Sequence, residues 1–349
     1  MRRLLAGSVA ALAGTVLVVA PALSTAAASH PSPSGKVVLI MSQPLGDPFG
    51  DLVFSGLQIL HRRYPKVAVK LLASTSPSAY SQQVIDSAKE GYNPVMVLWG
   101  SLGAVVVKEA PKFPRTKFII LDSYGTYVSN QALAKLHNVK IVAFDTRPAS
   151  FIAGVVAAKY DETHYHDAPL GFIGGADIPV ITAYLDGFEA GVHWVNPHLK
   201  IDVTYAGTFI DPAKGRQMAL ALYDQGIGIV MQAANKTGLG VLKAAQETGK
   251  QAVGVDFWQG GLAPGHVLWS ATKDVQTQTY LAAYYALQGR MQPGRYVWNA
   301  RQGAKLYFQR DYRTLSPQMK ALVRKLAAEL RSGKISIVGP RAVVGKPAS

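Results

Sequence analysis

The sequence predicts an α/β protein made of two doubly wound parallel-sheet lobes joined by a hinge. Three observations carry this. Short apolar runs alternate with helical patterns from Lys36 onward. That is the rhythm of strand–helix–strand units, in which parallel strands carry helices on both faces. The rhythm stops near Pro148 and starts again. The chain has 349 residues, nearly half of them hydrophobic, too many for one compact core and suited to two domains.

The elements follow in order. In the first unit, strands are expected at 37–41, 67–72, 95–99, 118–122 and 139–144, with helices at 54–63, 79–90 and in the stretch after Trp99 through Lys108. In the second, helix 151–160 leads to a strand at 170–173 that ends in Gly174 and Gly175. Helix 181–195 follows Pro179, and a strand covers 201–205. Asp211 and Pro212 open the next helix, because Asp caps the free amides and Pro suits the first turn. Strands at 228–232 and 251–255 flank helix 238–248, and helix 275–288 precedes a short strand at 306–308. Ser316 caps a last helix with Met319, Leu322, Val323, Leu326 and Leu330 on one face, and a strand at 335–338 closes the series. The lobes are expected at 36–147 plus about 267–303, and at 148–266 plus about 304–340, with a tail at 341–349.

Arg2 and Arg3, the apolar run 4–23 and Ala26-Ala27-Ala28 have the layout of a cleaved signal peptide over 1–28; a membrane anchor is the competing reading, since about twenty apolar residues can just span a bilayer. Residues 29–35 then read as a flexible leader, and the mature protein is expected in the periplasm or secreted. There is no Cys, which excludes disulfides, thiolate metal sites, a Cys nucleophile and a Cys-linked lipid anchor.

The formal net charge is +15. Its Lys and Arg residues are scattered, in groups such as Arg62 with Arg63 or Arg324 with Lys325, and no RNP-type motif or zinc-finger spacing accompanies them. No nucleic-acid partner is expected. His164 and His166 lie in a segment, 161–167, that reads as a solvated loop rather than a metal site. Gly238-Leu-Gly240 lacks the third glycine of a dinucleotide fingerprint, and Gly100-Ser-Leu-Gly103 does not match a nucleophile elbow. Neither an enzyme nor a cofactor is expected.

Ligands of such sheets bind at the carboxyl ends of the strands, so two units place the site in the cleft between them. Asp256 ends a strand there, and a carboxylate can accept two hydroxyl hydrogen bonds from a sugar. Phe49, in the first β–α loop, can stack on a planar base, and Trp99 and Trp258 can form the opposite wall. Core packing competes for all three aromatics. Asp47 and Asp145 lie on the ligand side, the first with helix capping as its alternative and the second in a crossover. Asn235 and Gly238 sit in a turn where backbone amides can approach a ligand, or serve turn chemistry alone.

The run Gly171-Phe-Ile-Gly-Gly175, Pro179, the run Gly187-Phe-Glu-Ala-Gly191 and the pair Asn196-Pro197 together resemble the basic membrane protein family of solute-binding proteins. The resemblance continues through Tyr205-Ala-Gly-Thr-Phe-Ile-Asp-Pro-Ala-Lys-Gly215, Ala233-Ala-Asn-Lys-Thr-Gly-Leu-Gly-Val241, Gly254-Val-Asp256 and Val267-Leu-Trp-Ser-Ala-Thr-Lys273. Asn138-Val139, Phe144 and the run from Ala153 to Ala158 also fit, so it covers about residues 36–339. The family comprises type I periplasmic-binding-protein folds that serve ABC importers and includes purine nucleoside receptors. The resemblance therefore implies a small polar ligand such as a nucleoside, an ABC transporter permease as partner, and a monomer. It implies that Asp256 holds ribose hydroxyls and that Lys273 is the cleft lysine, donating to a ligand hydroxyl or pairing with Asp256. An exported sensory or regulatory module is the alternative role. Two departures stand out: the missing lipid-anchor Cys, and the loop Gly46-Asp-Pro-Phe-Gly50, where the family pattern of acidic residues then Ser-Phe-Asn has Gly50 in place of Asn.

Overall fold

The computed structural model describes residues 32–123 and 128–339 and the backbone of 343–344. The expected signal peptide and most of the tail lie outside the described residues.

The first lobe begins with β1 (Gly35–Met41), α1 (Pro48–Arg63), β2 (Val67–Ala73), α2 (Pro77–Lys89), β3 (Val95–Leu98), α3 (Gly103–Glu109), β4 (Phe118–Leu121), α4 (Asn130–Leu133) and β5 (Val139–Phe144). The chain crosses to the second lobe, which holds α5 (Arg147–His164), β6 (Leu170–Gly174), α6 (Pro179–Val195), β7 (Ile201–Tyr205), α7 (Pro212–Asp224), β8 (Ile229–Ala233), α8 (Asn235–Thr248), β9 (Gln251–Asp256) and β10 (Val267–Thr272). It crosses back for α9 (Val275–Leu287) and β11 (Gly294–Trp298). It then returns for α10 (Gln309–Thr314), α11 (Pro317–Ser332) and a small antiparallel pair, β12 (Ser336–Ile337) with β13 (Val343–Val344).

The first sheet runs β2-β1-β3-β4-β5-β11 and the second β7-β6-β8-β9-β10, all parallel. Their central strands are continuous buried runs, as strands covered on both faces must be; β3 and β4 are buried throughout. Each sheet has an apolar layer on both sides.

Three differences from the sequence reading have physical causes. β10 hydrogen-bonds to β9 in the second sheet, so the return to the first lobe comes after Thr272 and not before Val267. β11, which the pattern did not reveal, is a half-buried edge strand with a polar start. The segment 306–308 has no strand partner; Leu306 is buried there as part of the second lobe's core.

Several glycines of the second lobe serve helix packing. A Cβ at Gly191 of α6 would overlap the Phe151 carbonyl of α5, one at Gly187 would overlap that of Arg147, and one at Gly154 would overlap that of Phe188. Gly215 and Gly240 bring α7 and α8 together in the same way. Backbones this close leave no volume for a methyl, and overpacking of this kind costs about 1–3 kcal/mol or more. Gly191→Ala is therefore expected to lower the unfolding free energy by at least about 1 kcal/mol in denaturant titration.

Candidate ligand-binding site

The carboxyl ends of both sheets face each other across a cavity of about 230 Å³. The first lobe contributes Ser42 and Gln43 after β1, Phe49 on α1, Trp99 and Ser101 after β3, and Asp122 after β4. The second contributes Tyr184 from α6, Phe209 after β7, Asn235 at the start of α8, Asp256 at the end of β9 and Lys273 after β10. Four of these leave their strands with a left-handed backbone: Trp99 (φ 71°), Asp122 (56°), Asn235 (51°) and Asp256 (67°). Non-glycine residues adopt this region at a cost, and such residues cluster at functional sites.

The polar end of the cavity is a buried charge network. Lys273 Nζ lies 2.9 Å from Asp122 Oδ2 and 3.8 Å from Asp256 Oδ1. The Lys273–Asp122 pair joins the lobes. Tyr184 donates its hydroxyl to Asp256 Oδ1 at 2.7 Å. Burial pushes the Asp256 carboxyl above its usual range, against the pull of Lys273 and the Tyr184 bond. Burial, with the nearby Asp256 charge, also raises the Tyr184 phenol, which stays a donor. Asp122 Oδ1 is buried with no hydrogen-bond partner among the described residues.

Aromatic rings adjoin this network. Phe49 and Trp99 stack at 6.1 Å with an interplanar angle of 28°, and Lys273 Nζ sits 4.9 Å above the Phe49 ring. Phe209 lines the cavity from the opposite lobe.

Asp47 is not among the residues that line the cavity. It caps α1 by accepting from Gly50 N at 2.8 Å and takes Asn235 Nδ2 at 2.5 Å, a second bond between the lobes. Burial raises its carboxyl, while both bonds oppose the shift. A Cβ at Gly50 would stand 2.5 Å from Met41 Sδ, so the methionine side chain would have to shift.

The structure thus brings together Phe49, Trp99, Asn235, Asp256 and Lys273, with Asp47 adjoining. It separates three others. Asp145 sits at the crossover, paired with Arg147 at 2.7 Å and lining a different cavity beside Asn299 and Arg301. Gly238 packs on the Gln232 carboxamide, where a Cβ would overlap. Trp258 turns away from the cleft because its Nε1 donates to Asp311 Oδ1 at 2.9 Å, with Arg310 4.5 Å from its ring. His164 and His166 take no part in the cleft; His164 stacks on Tyr160 at 3.7 Å.

Asp311 is itself informative. Burial raises its carboxyl from 3.8 to about 6, although Trp258 and Ser270 donate to it. The folded protein therefore holds this proton more tightly than the unfolded chain. The group's contribution to stability is complete below about pH 4 and is lost as pH rises to about 6, up to about 3 kcal/mol. Asp311→Asn is expected to flatten that part of the stability–pH curve, read by Trp fluorescence during unfolding.

Sequence reasoning missed Asp122, Tyr184 and Phe209. Asp122 carried a signal, since it follows the buried run Phe118–Leu121, as Asp256 follows its own strand.

A family model described as ABC transporter substrate-binding protein PnrA-like matches residues 35–305. Basic membrane protein A of Borreliella burgdorferi is 31% identical over 244 residues, 69% of this chain and 68% of that protein. The ABC transporter nucleoside-binding protein BmpA of Lactococcus lactis is 29% identical over 282 residues, 76% of each. A solute-binding protein of an ABC transporter system from Aeropyrum pernix shares the fold with a TM-score of 0.76 at 19% identity, covering 88% of this chain and 94% of that one. The fold is therefore that of the periplasmic binding proteins. The chain belongs to the Bmp family of PnrA-like ABC transporter substrate-binding proteins.

Proposed function

We propose that the protein captures a nucleoside in the interlobe cleft and delivers it to the permease of an ABC importer. One observation carries the reading: a single cavity is lined by two carboxylates and by aromatic rings from both lobes. Asp256 and Asp122 accept the ribose hydroxyls and Lys273 donates to a ribose oxygen. Phe49 and Phe209 flank the planar base. The two interlobe bonds, Lys273–Asp122 and Asn235–Asp47, hold the lobes together around the ligand. The nucleoside-binding relative from Lactococcus supports the same ligand class.

Thermal unfolding against nucleosides, free bases, sugars and amino acids tests this. A ligand at 100 times its dissociation constant adds about 2.7 kcal/mol of stability. Stabilisation by nucleosides alone is expected. Stabilisation by sugars or amino acids without nucleosides would discard the ligand class.

A further inference from the structure

The first sheet is parallel throughout, so the turns that precede its strands fall together at one pole. The cleft residues follow β1, β3 and β4 at the other end. β1 has seven residues, which separates the two ends by about 20 Å.

That pole is strongly basic. The end of α1 and the turn before β2 present Arg62, Arg63 and Lys66, the turn before β4 presents Arg115, the turn before β11 presents Arg290, and β1 adds Lys36. All six are exposed. The ion pairs of the described residues include none of them. Exposed Glu90 shares the pole but is offset by the adjacent exposed Lys89. The matching end of the second lobe is mixed: Asp167, Asp224 and Glu247 stand there with Lys200 and Lys250.

Aromatic rings are interleaved with the charges. Lys36 lies 5.8 Å over Tyr92, Arg63 lies 5.9 Å over Tyr64, and Arg290 lies 5.2 Å over Tyr285, itself 39% exposed. Tyrosine rings beside long basic stems suit the boundary between water and lipid headgroups. The array spans six strands, about 24 Å at the sheet spacing, and charge spread over that width fits an extended anionic surface. Attraction to such a surface accumulates with each basic residue within a Debye length.

We propose that this pole docks on the surface of an anionic phospholipid bilayer. Charge at this pole would hold the protein against the membrane face. The site is distinct from the cleft, so the inference stands or falls independently of the nucleoside reading.

The test is sedimentation of the full chain with vesicles of equimolar phosphatidylglycerol and phosphatidylcholine, and with phosphatidylcholine alone. Strong preference for the mixed vesicles, weakened by salt, is expected. The triple variant Arg62→Ala/Lys66→Ala/Arg115→Ala should lower partitioning by about a hundredfold. The charge-preserving Arg62→Lys/Lys66→Arg/Arg115→Lys should retain it. So should Lys200→Ala/Lys214→Ala/Lys325→Ala, which removes equal charge from the second lobe. Unfolding midpoints show that each variant is folded. Equal binding to both vesicle types would overturn the proposal, because the apolar run 4–23 would then account for it. Equal losses in the two neutralised variants would overturn it too, leaving only net charge. So would capture of double-stranded DNA, lost in the first variant, with no vesicle preference.

Discussion

Asp256→Ala is expected to weaken nucleoside binding by at least a hundredfold. In the proposed binding mode Asp256 accepts two ribose hydroxyls, and hydrogen bonds to a charged group contribute about 1.5–3 kcal/mol each. Losing two therefore costs about 3 kcal/mol or more, and each 1.4 kcal/mol is tenfold in affinity. Alanine is also strained at φ 67°, so Asp256→Asn, which tolerates that backbone, separates lost binding from a distorted strand end. Asn keeps one acceptor and should lose less. The same carboxylate gives the binding a pH dependence. Burial raises its pKa, so acidification protonates it sooner than an exposed aspartate and removes an acceptor. Affinity measured by calorimetry should hold near neutral pH and fall on the acid side at a higher pH than an ordinary carboxylate would give.

Lys273→Met is expected to be the most destabilising single change in the cleft. Lys273, Asp122 and Asp256 are largely buried, and removing the cation leaves two carboxylates facing each other without compensation. Breaking a buried pair in this way costs about 3–5 kcal/mol. The double variant Lys273→Met/Asp122→Asn removes one stranded charge and should recover part of the loss. Asn suits the left-handed backbone at that position. Chemical denaturation of the three proteins provides the comparison. A single variant as stable as wild type would mean that the pair contributes nothing to holding the lobes.

The two-lobed parallel architecture was legible because its central strands are buried on both faces and read as unbroken apolar runs. Caps were legible for the same local reason: Asp211 accepts from Lys214 N and Ser316 from Met319 N, at the helix starts they were expected to open. The allocation of β10 was not, because a strand's sequence does not record which neighbour it pairs with. β11 escaped for a different reason, being short, half-buried and at an edge.

The cleft divides along similar lines. Asp256 and Lys273 stand at strand ends, where the parallel-sheet rule places ligand contacts. Trp258 stands near one too, yet its direction is decided by Asp311, more than fifty positions away. Tyr184 and Phe209 reach the cavity from a helix face and a loop, and only the packing of α6 and the fold of that loop reveal it. The glycine-rich runs show that a motif can mark a family without touching its ligand: Gly187 and Gly191 let two helices meet.

The most direct test is calorimetric titration of the folded, ligand-free protein with inosine, guanosine, adenosine and uridine, repeated on Asp256→Ala. The account predicts one-to-one binding of at least one nucleoside by the wild type, weakened a hundredfold or more in the variant. Binding undiminished in Asp256→Ala would place the ligand elsewhere, and no binding of any nucleoside would contradict the proposed ligand class.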